Sequence, residues 1–242
     1  MIMTEKVTTI PSLHLFSDNP SQEGPFFDLD YLATKHEEHF AKQSEVSTRQ
    51  GDNLTKFQEY LDGIPSRSRS RIILFNSPND SRKSLSCLID FIAGLAAEER
   101  GRVLLLDCNL KTPRLHSYFD KLPSKGLTDY VAGEAGIDEI VGDTNLKEVF
   151  LIKSGNVMFN AVKMFMSVKF QQLIDSLRKK YDYILVNSPP YRNHIETFAL
   201  AKFLRPTILL LSSQQNHVDQ DLSDIHDELG VLKLPVFELV QA

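Results

Sequence analysis

No apolar run in this 242-residue sequence approaches the roughly 20 residues that a membrane-spanning helix needs. The opening stretch, MIMTEKVTTIPSLHLF, has neither the apolar centre nor the cleavage pattern of a leader peptide. Cysteine is scarce: Cys87 and Cys108 each fall within an apolar element, which excludes a disulfide framework and fits a reducing compartment. Positive charge is not in excess. The 27 Lys and Arg against 32 Asp and Glu give a net charge of -5, and nothing suggests a general nucleic-acid binder, which would usually show a basic stripe. The seven histidines are dispersed. His36 and His39 could share a helix face, but no third ligand stands near them, so they read as solvated polar residues. Glycine is missing where it will matter, since none occurs between Gly63 and Gly94. These absences lead to the expectation of a cytoplasmic protein that is recruited to an inner membrane only through a partner.

What is present is ordinary for a globular protein: 42% hydrophobic and 24% charged residues, in a length sufficient for one α/β domain plus an arm. Residues 1–66 are polar, carry Pro11, Pro20 and Pro25, and hold little periodicity beyond short helical patterns at 29–43 and 53–62. They are read as an arm, partly helical or disordered. It ends in a linker, IPSRSRSR, whose charge reads as a solvated strand entry.

From residue 67 onward the sequence is expected to form one domain. RIILFN (71–76), RVLLLD (102–107), VFLIK (149–153), DYILVN (182–187), TILLL (207–211) and PVFELV (235–240) are short apolar runs. Helical periodicity occupies 84–100, 127–141, 168–180, 194–204 and 217–229, with Gly101 placed to stop the first of these helices. Apolar strands alternating with helices predict a doubly wound, mostly parallel sheet covered on both faces. Ligands then bind beyond the carboxyl ends of the strands, which are the segments after residues 76, 107 and 187.

The first of those segments reads Ser77-Pro78-Asn79-Asp80-Ser81-Arg82-Lys83-Ser84. A phosphate-binding loop has the pattern GxxxxGK[ST]. Lys83 and Ser84 occupy its last two places, but its glycine places hold Ser77 and Arg82. Glycine lets backbone N–H groups wrap a phosphate closely, and Arg82 obstructs that wrap while adding a positive charge. Structural readings stand beside this one. Lys83 and Ser84 could simply open a helix, and Asn109 and Asn187 could satisfy strand-end hydrogen bonds.

Taken together, NSPNDSRKSL, LLLDCNLKTP, YDYILVNSPP and the stretch Gly126-Leu127-Thr128-Asp129-Tyr130 resemble, in order and spacing, the cytoplasmic domain of the bacterial tyrosine kinases. These are capsule and exopolysaccharide autokinases of the deviant Walker, MinD/ParA-like P-loop superfamily. The resemblance covers about residues 70–242 and implies a P-loop NTPase fold. It also implies a nucleotide site at Arg82, Lys83, Ser84, Asp107, Asn109 and Asn187. In an active member, Lys83 and Asp107 would be catalytic, and Ser84 and Asp107 would hold Mg²⁺.

The departures from the family are systematic. Asn109 and Asn187 stand where the family has aspartates, and the first loop has lost its glycines. In the ring-assembly motif Glu45, Asn53 and Leu54 fit, while Thr48 and Gly51 stand at its arginine places. The tyrosine-rich tail of the family is not found, Tyr191 being the last tyrosine. An amide offers Mg²⁺ one neutral carbonyl in place of a charged carboxylate and cannot accept a proton at neutral pH. The expectation is therefore a non-catalytic, pseudokinase-like regulator or scaffold of polysaccharide synthesis and export. It would dock on a membrane-bound, Wzz-like polysaccharide co-polymerase or on a kinase homologue. No cofactor is expected beyond weak ATP or ADP binding without Mg²⁺. The alternatives are an active ATP-dependent tyrosine autokinase, with Tyr118, Tyr130 and Tyr191 as acceptors, and a MinD/ParA-type positioning ATPase. The sequence favours the last of these least, for want of a basic patch or a membrane-binding amphipathic helix.

Overall fold

In a computed structural model the described residues are 6–10, 70–77, 81–119, 122–156, 160–190, 194–213, 232–234 and 236–241. Eight strands form one sheet: β1 (Lys6–Ile10), β2 (Arg71–Asn76), β3 (Val103–Asp107), β4 (Val141–Asp143), β5 (Val149–Ile152), β6 (Tyr183–Asn187), β7 (Thr207–Ser213) and β8 (Val236–Gln241). Their order is β1-β8-β7-β2-β6-β3-β5-β4. Every neighbouring pair is parallel except β4 with β5. The helices are α1 (Ser81–Ala97), α2 (Leu127–Ala132), α3 (Ile137–Ile140), α4 (Ala161–Phe165), α5 (Val168–Leu177) and α6 (His194–Leu204), with a 3-10 turn at Leu115–Tyr118.

The continuous apolar runs become strands because both faces of the sheet are covered. Along β2, Ile73 and Phe75 face one core with Val103, Leu105, Tyr183 and Leu185. Ile72 and Leu74 face the other with Leu104, Leu106, Ile184 and Val186. On the first face α1 buries Leu85, Leu88, Phe91, Ile92 and Leu95, and the Phe75 and Phe91 rings meet at 5.6 Å. On the second face α5 buries Phe170, Leu173, Ile174 and Leu177, spaced as one stripe of a helix. The guanidinium of Arg178, just beyond α5, donates to the Leu204 carbonyl at 2.7 Å and so satisfies the carboxyl end of α6.

The doubly wound parallel sheet agrees with the sequence reading. The details differ in four places. The first helix begins at Ser81 rather than 84 and ends at Ala97 rather than 100. It is closed by Glu99, which takes the left-handed conformation expected of Gly101 (φ 49°). Arg100 N–H donates to the Leu95 carbonyl and Glu99 N–H to the Ala96 carbonyl, which is the Schellman pattern. The helical pattern at 127–141 resolves into α2, α3 and strand β4, because Gly133, at φ 87°, terminates α2. Helix α4 has no counterpart in the sequence reading, its five residues being too short to show periodicity. Lys6–Ile10, within the stretch read as a polar arm, is a strand. The rest of that arm and the expected helix at 217–229 lie outside the described residues.

Candidate functional site

The chain leaves β2 toward β3 on one side and leaves β6 toward β7 on the other, so β2 and β6 flank the point where the winding reverses. Beyond their carboxyl ends the topology opens the crevice used by doubly wound folds. Arg82, Lys83 and Ser84 fall in the first turn of α1, which rises from the carboxyl end of β2. That turn has N–H groups without intrahelical acceptors.

Asp107 ends β3 and Asn187 ends β6, and the register sets them side by side. Both are buried. Asn187 Nδ2 donates to Asp107 Oδ1 at 2.9 Å. Asn109 N–H donates to the same oxygen at 3.2 Å, and Leu115 N–H donates to Oδ2 at 3.3 Å. Both carboxylate oxygens are therefore engaged by the protein's own neutral donors. Burial pushes the Asp107 carboxyl up to about 6, only partly offset by the hydrogen bonds from Asn187, Asn109 and Leu115. The Asn109 side chain is not directed at Asp107. Its Oδ1 accepts from the N–H and the hydroxyl of Thr112 at 3.4 and 3.2 Å, and so organises its own loop. Of the residues expected at the site, Asp107 and Asn187 are thus joined directly, while Asn109 reaches Asp107 only through its backbone.

A second polar network, missed in the sequence reading, lies beside this one. Asn76 Nδ2 donates to Ser188 Oγ and to the Pro189 carbonyl, both at 2.7 Å. Ser188 Oγ donates to the Phe75 carbonyl at 2.9 Å. Thr197 Oγ1 donates to the Pro189 carbonyl at 3.1 Å. Together they fasten the turn after β6 to the end of β2 and to α6. Lys111 adds an ion pair with Glu196 at 2.7 Å, tying the loop after β3 to the same helix. The signal that could have found Asn76 is a polar residue ending an otherwise apolar strand. The amide oxygens of Asn76 and Asn187 are both buried and have no hydrogen-bond partner among the described residues. The Asn187 side chain therefore acts only as a donor here, and its oxygen stands where an aspartate would have carried a second charged atom.

A hard dication draws on carboxylate oxygens. The carboxylate here is turned to three N–H groups, and its neighbour offers it an amide.

The Gly126–Tyr130 stretch proves to be a joint. Leu127 N–H and Thr128 N–H donate to the carbonyls of Lys153 and Ser154, each at 2.8 Å. Asp129, almost wholly buried, accepts from Gly126 N–H at 2.7 Å and from Asn156 N–H at 3.2 Å. A Cβ at Gly126 would meet the Lys153 carbonyl oxygen and lie 2.6 Å from the Gly155 nitrogen. Gly155 itself has φ 98°. This motif fixes α2 to the loop after β5, with Asp129 accepting the N–H groups that hold the joint.

Tyr118 and Tyr130 are half-buried, and burial raises the Tyr118 phenol above its ordinary range. Tyr191 lies outside the described residues. Cys87 falls within α1, and Cys108 is fully buried next to Asp107. Among the described residues no helix is long and apolar enough to cross a membrane.

No family model matches the chain. Curated relatives do. The tyrosine-protein kinase CpsD of Streptococcus pneumoniae serotype 4 is 25% identical over 175 residues, covering 70% of this chain and 77% of that protein. A putative tyrosine-protein kinase in the cps region of Klebsiella pneumoniae is 21% identical over 153 residues, covering 63% of this chain and 21% of that protein. Among solved structures, the kinase domain of the Escherichia coli tyrosine kinase ETK has a TM-score of 0.68 at 16% identity. It covers 97% of this chain and 87% of that one. The cell division ATPase MinD of Pyrococcus furiosus has a TM-score of 0.57 at 20% identity over 71% of each chain. In sequence the chain is thus similar to bacterial tyrosine-protein kinases, and its fold is the P-loop fold that the kinase domain of ETK shares with the ATPase MinD.

Proposed function

We propose that this chain is a non-catalytic relative of the bacterial tyrosine kinases, acting as a cytoplasmic regulator or scaffold in capsule or exopolysaccharide production. It docks on a membrane-bound polysaccharide co-polymerase, or on a kinase homologue, and keeps the kinase-like shape without phosphoryl transfer. The observation that carries this reading is the direct hydrogen bond from Asn187 to Asp107. Phosphoryl transfer depends on preorganised charge around the metal and the γ-phosphate. Here the amides at 109 and 187 contribute no negative charge, and the remaining carboxylate is occupied. The missing glycines of the loop after β2 point the same way. Arg82, Lys83 and Ser84 at the start of α1 are left as a weak anion site for ATP or ADP without Mg²⁺.

Calorimetric titration of the purified chain with ATP and Mg²⁺ tests the proposal, together with mass spectrometry for phosphotyrosine on protein expressed alone. The expected results are no Mg²⁺-dependent ATP binding and no phosphotyrosine. Phosphorylation of Tyr118, Tyr130 or Tyr191 that disappears in Lys83→Ala would overturn it. That outcome would restore the second reading, an active autokinase, which the names of the relatives favour.

A further inference from the structure

The Asn187 side chain is 2% exposed, and its oxygen has no hydrogen-bond partner among the described residues. The rest of the amide fixes where that oxygen points. Asn187 Nδ2 donates to Asp107 Oδ1 at 2.9 Å, and the same carboxylate oxygen accepts Asn109 N–H. Turning the amide over would set two acceptors against each other, so the nitrogen stays toward β3. Strand β6 lies between β3 and β2. The planar amide therefore presents its oxygen on the side of β2, from whose carboxyl end α1 rises. A buried acceptor left unmet in this way is destabilising.

Alternation along the strands sets Asp107 and Asn187 on the face of Leu105 and Leu185, which is the face α1 covers. Helix α1 packs against β2, β6 and β3. Asn76, whose oxygen is also unpartnered, follows Leu74 onto the opposite face and has no part in this crevice. At 17 residues α1 carries the full positive end of a helix. Its first turn has no acidic residue, while Arg82 and Lys83 stand in it. The N–H groups of that turn suit an anion. The crevice thus combines donors that need an anion with a buried acceptor that needs a hydrogen.

We infer that this crevice binds the hydrogen phosphate ion without a metal, its oxygens taking N–H groups of the first turn of α1 and its hydroxyl donating to Asn187 Oδ1. This deepens the anion site proposed above and rests on that reading. Only an oxyanion that carries a hydrogen meets both needs. Inorganic phosphate keeps one at neutral pH. The terminal phosphate of a nucleotide has mostly lost its own, since the last ionisation of phosphate esters lies at about 6. Sulfate has none. An aspartate at 187 would repel the ion unless a cation stood between them, whereas the amide lets it approach.

Calorimetric titration of the full chain with inorganic phosphate and with sulfate, in EDTA just above neutral pH, reads the contribution of that hydrogen. The two ions then have nearly the same charge and shape. Phosphate is expected to bind about tenfold more tightly than sulfate, or better. Asn187→Leu, of similar size but without an acceptor, should bring phosphate down to the level of sulfate and leave sulfate unchanged. Lys83→Ala removes a charge from the first turn and should weaken both ions alike, a result that stands even where Asn187→Leu fails to fold. Equal affinities in the natural chain, the outcome if water satisfies Asn187, overturn the inference. So does binding of neither ion, the outcome if Asp80 caps the helix, or a phosphate preference that survives in folded Asn187→Leu. Neither Mg²⁺ nor ATP takes part in these titrations. Kinase activity would therefore defeat the proposed function and not the phosphate preference, while equal affinities would defeat the preference and not the non-catalytic reading.

Discussion

A single atom type decides the character of the strand-end cluster. At position 187 an aspartate would place a second carboxylate beside Asp107 in a buried setting, where two like charges need a cation between them. Asn187 supplies a hydrogen instead. Asn187→Asp is therefore expected to destabilise the protein in chelator by on the order of 2–4 kcal/mol, with millimolar Mg²⁺ restoring part of the loss. Thermal melts with EDTA and with Mg²⁺ check this, and equal melting in both would argue against a latent metal position. Asp107 also sets a pH dependence. Its carboxyl is raised from 3.8 to about 6 in the folded state, chiefly by burial. Folding then favours the protonated form. The contribution is fully present below about 4 and is lost as pH rises through about 6, a difference on the order of 3 kcal/mol. Denaturant titrations between pH 4.5 and 7.5 should show Asp107→Asn losing less stability toward high pH than the natural chain. Asp107 and Asn187 could be singled out from the sequence by their places at strand ends. That they bond to each other could not, because strand order and register are set by long-range packing. The Asn76–Ser188–Thr197 network stayed hidden for the same reason: Asn76 and Ser188 lie 112 residues apart along the chain.

At the scale of elements, the sequence announces what is long and apolar and conceals what is short. Strands β2, β3 and β6 and helices α5 and α6 are legible because continuous apolar runs and a repeating buried stripe have few alternative readings. Strand β4 and helices α3 and α4, of three to five residues, carry too little pattern. Strand β1 is written in KVTTI, but its polar surroundings masked it. The joint between α2 and the loop after β5 makes a sharp prediction. Gly126→Ala would drive a methyl group into the Lys153 carbonyl and the Gly155 backbone, neither of which can rotate away. A loss of more than about 2 kcal/mol is expected, measured by urea unfolding. Gly136→Ala, whose added carbon would meet only the Glu139 carboxylate at 3.4 Å, serves as the mild control.

Across the whole molecule, protection should grade from the centre of the sheet outward. Strands β2, β6 and β3 are hydrogen-bonded on both sides and almost fully buried. Their amides should exchange with deuterium slowest, and those of β4 and β1 fastest. Hydrogen-exchange mass spectrometry checks the ranking, and a β1 as protected as β6 would contradict it. The pairing of Lys6 with Glu238 also has a consequence for biosynthesis. On a ribosome, β1 leaves the exit tunnel long before its mate exists, so it must travel unpaired until nearly all of the polypeptide described here has been translated. Completion of that border is consequently a late event, and nascent molecules pass through a stage at which chaperones or neighbouring nascent chains can compete for it.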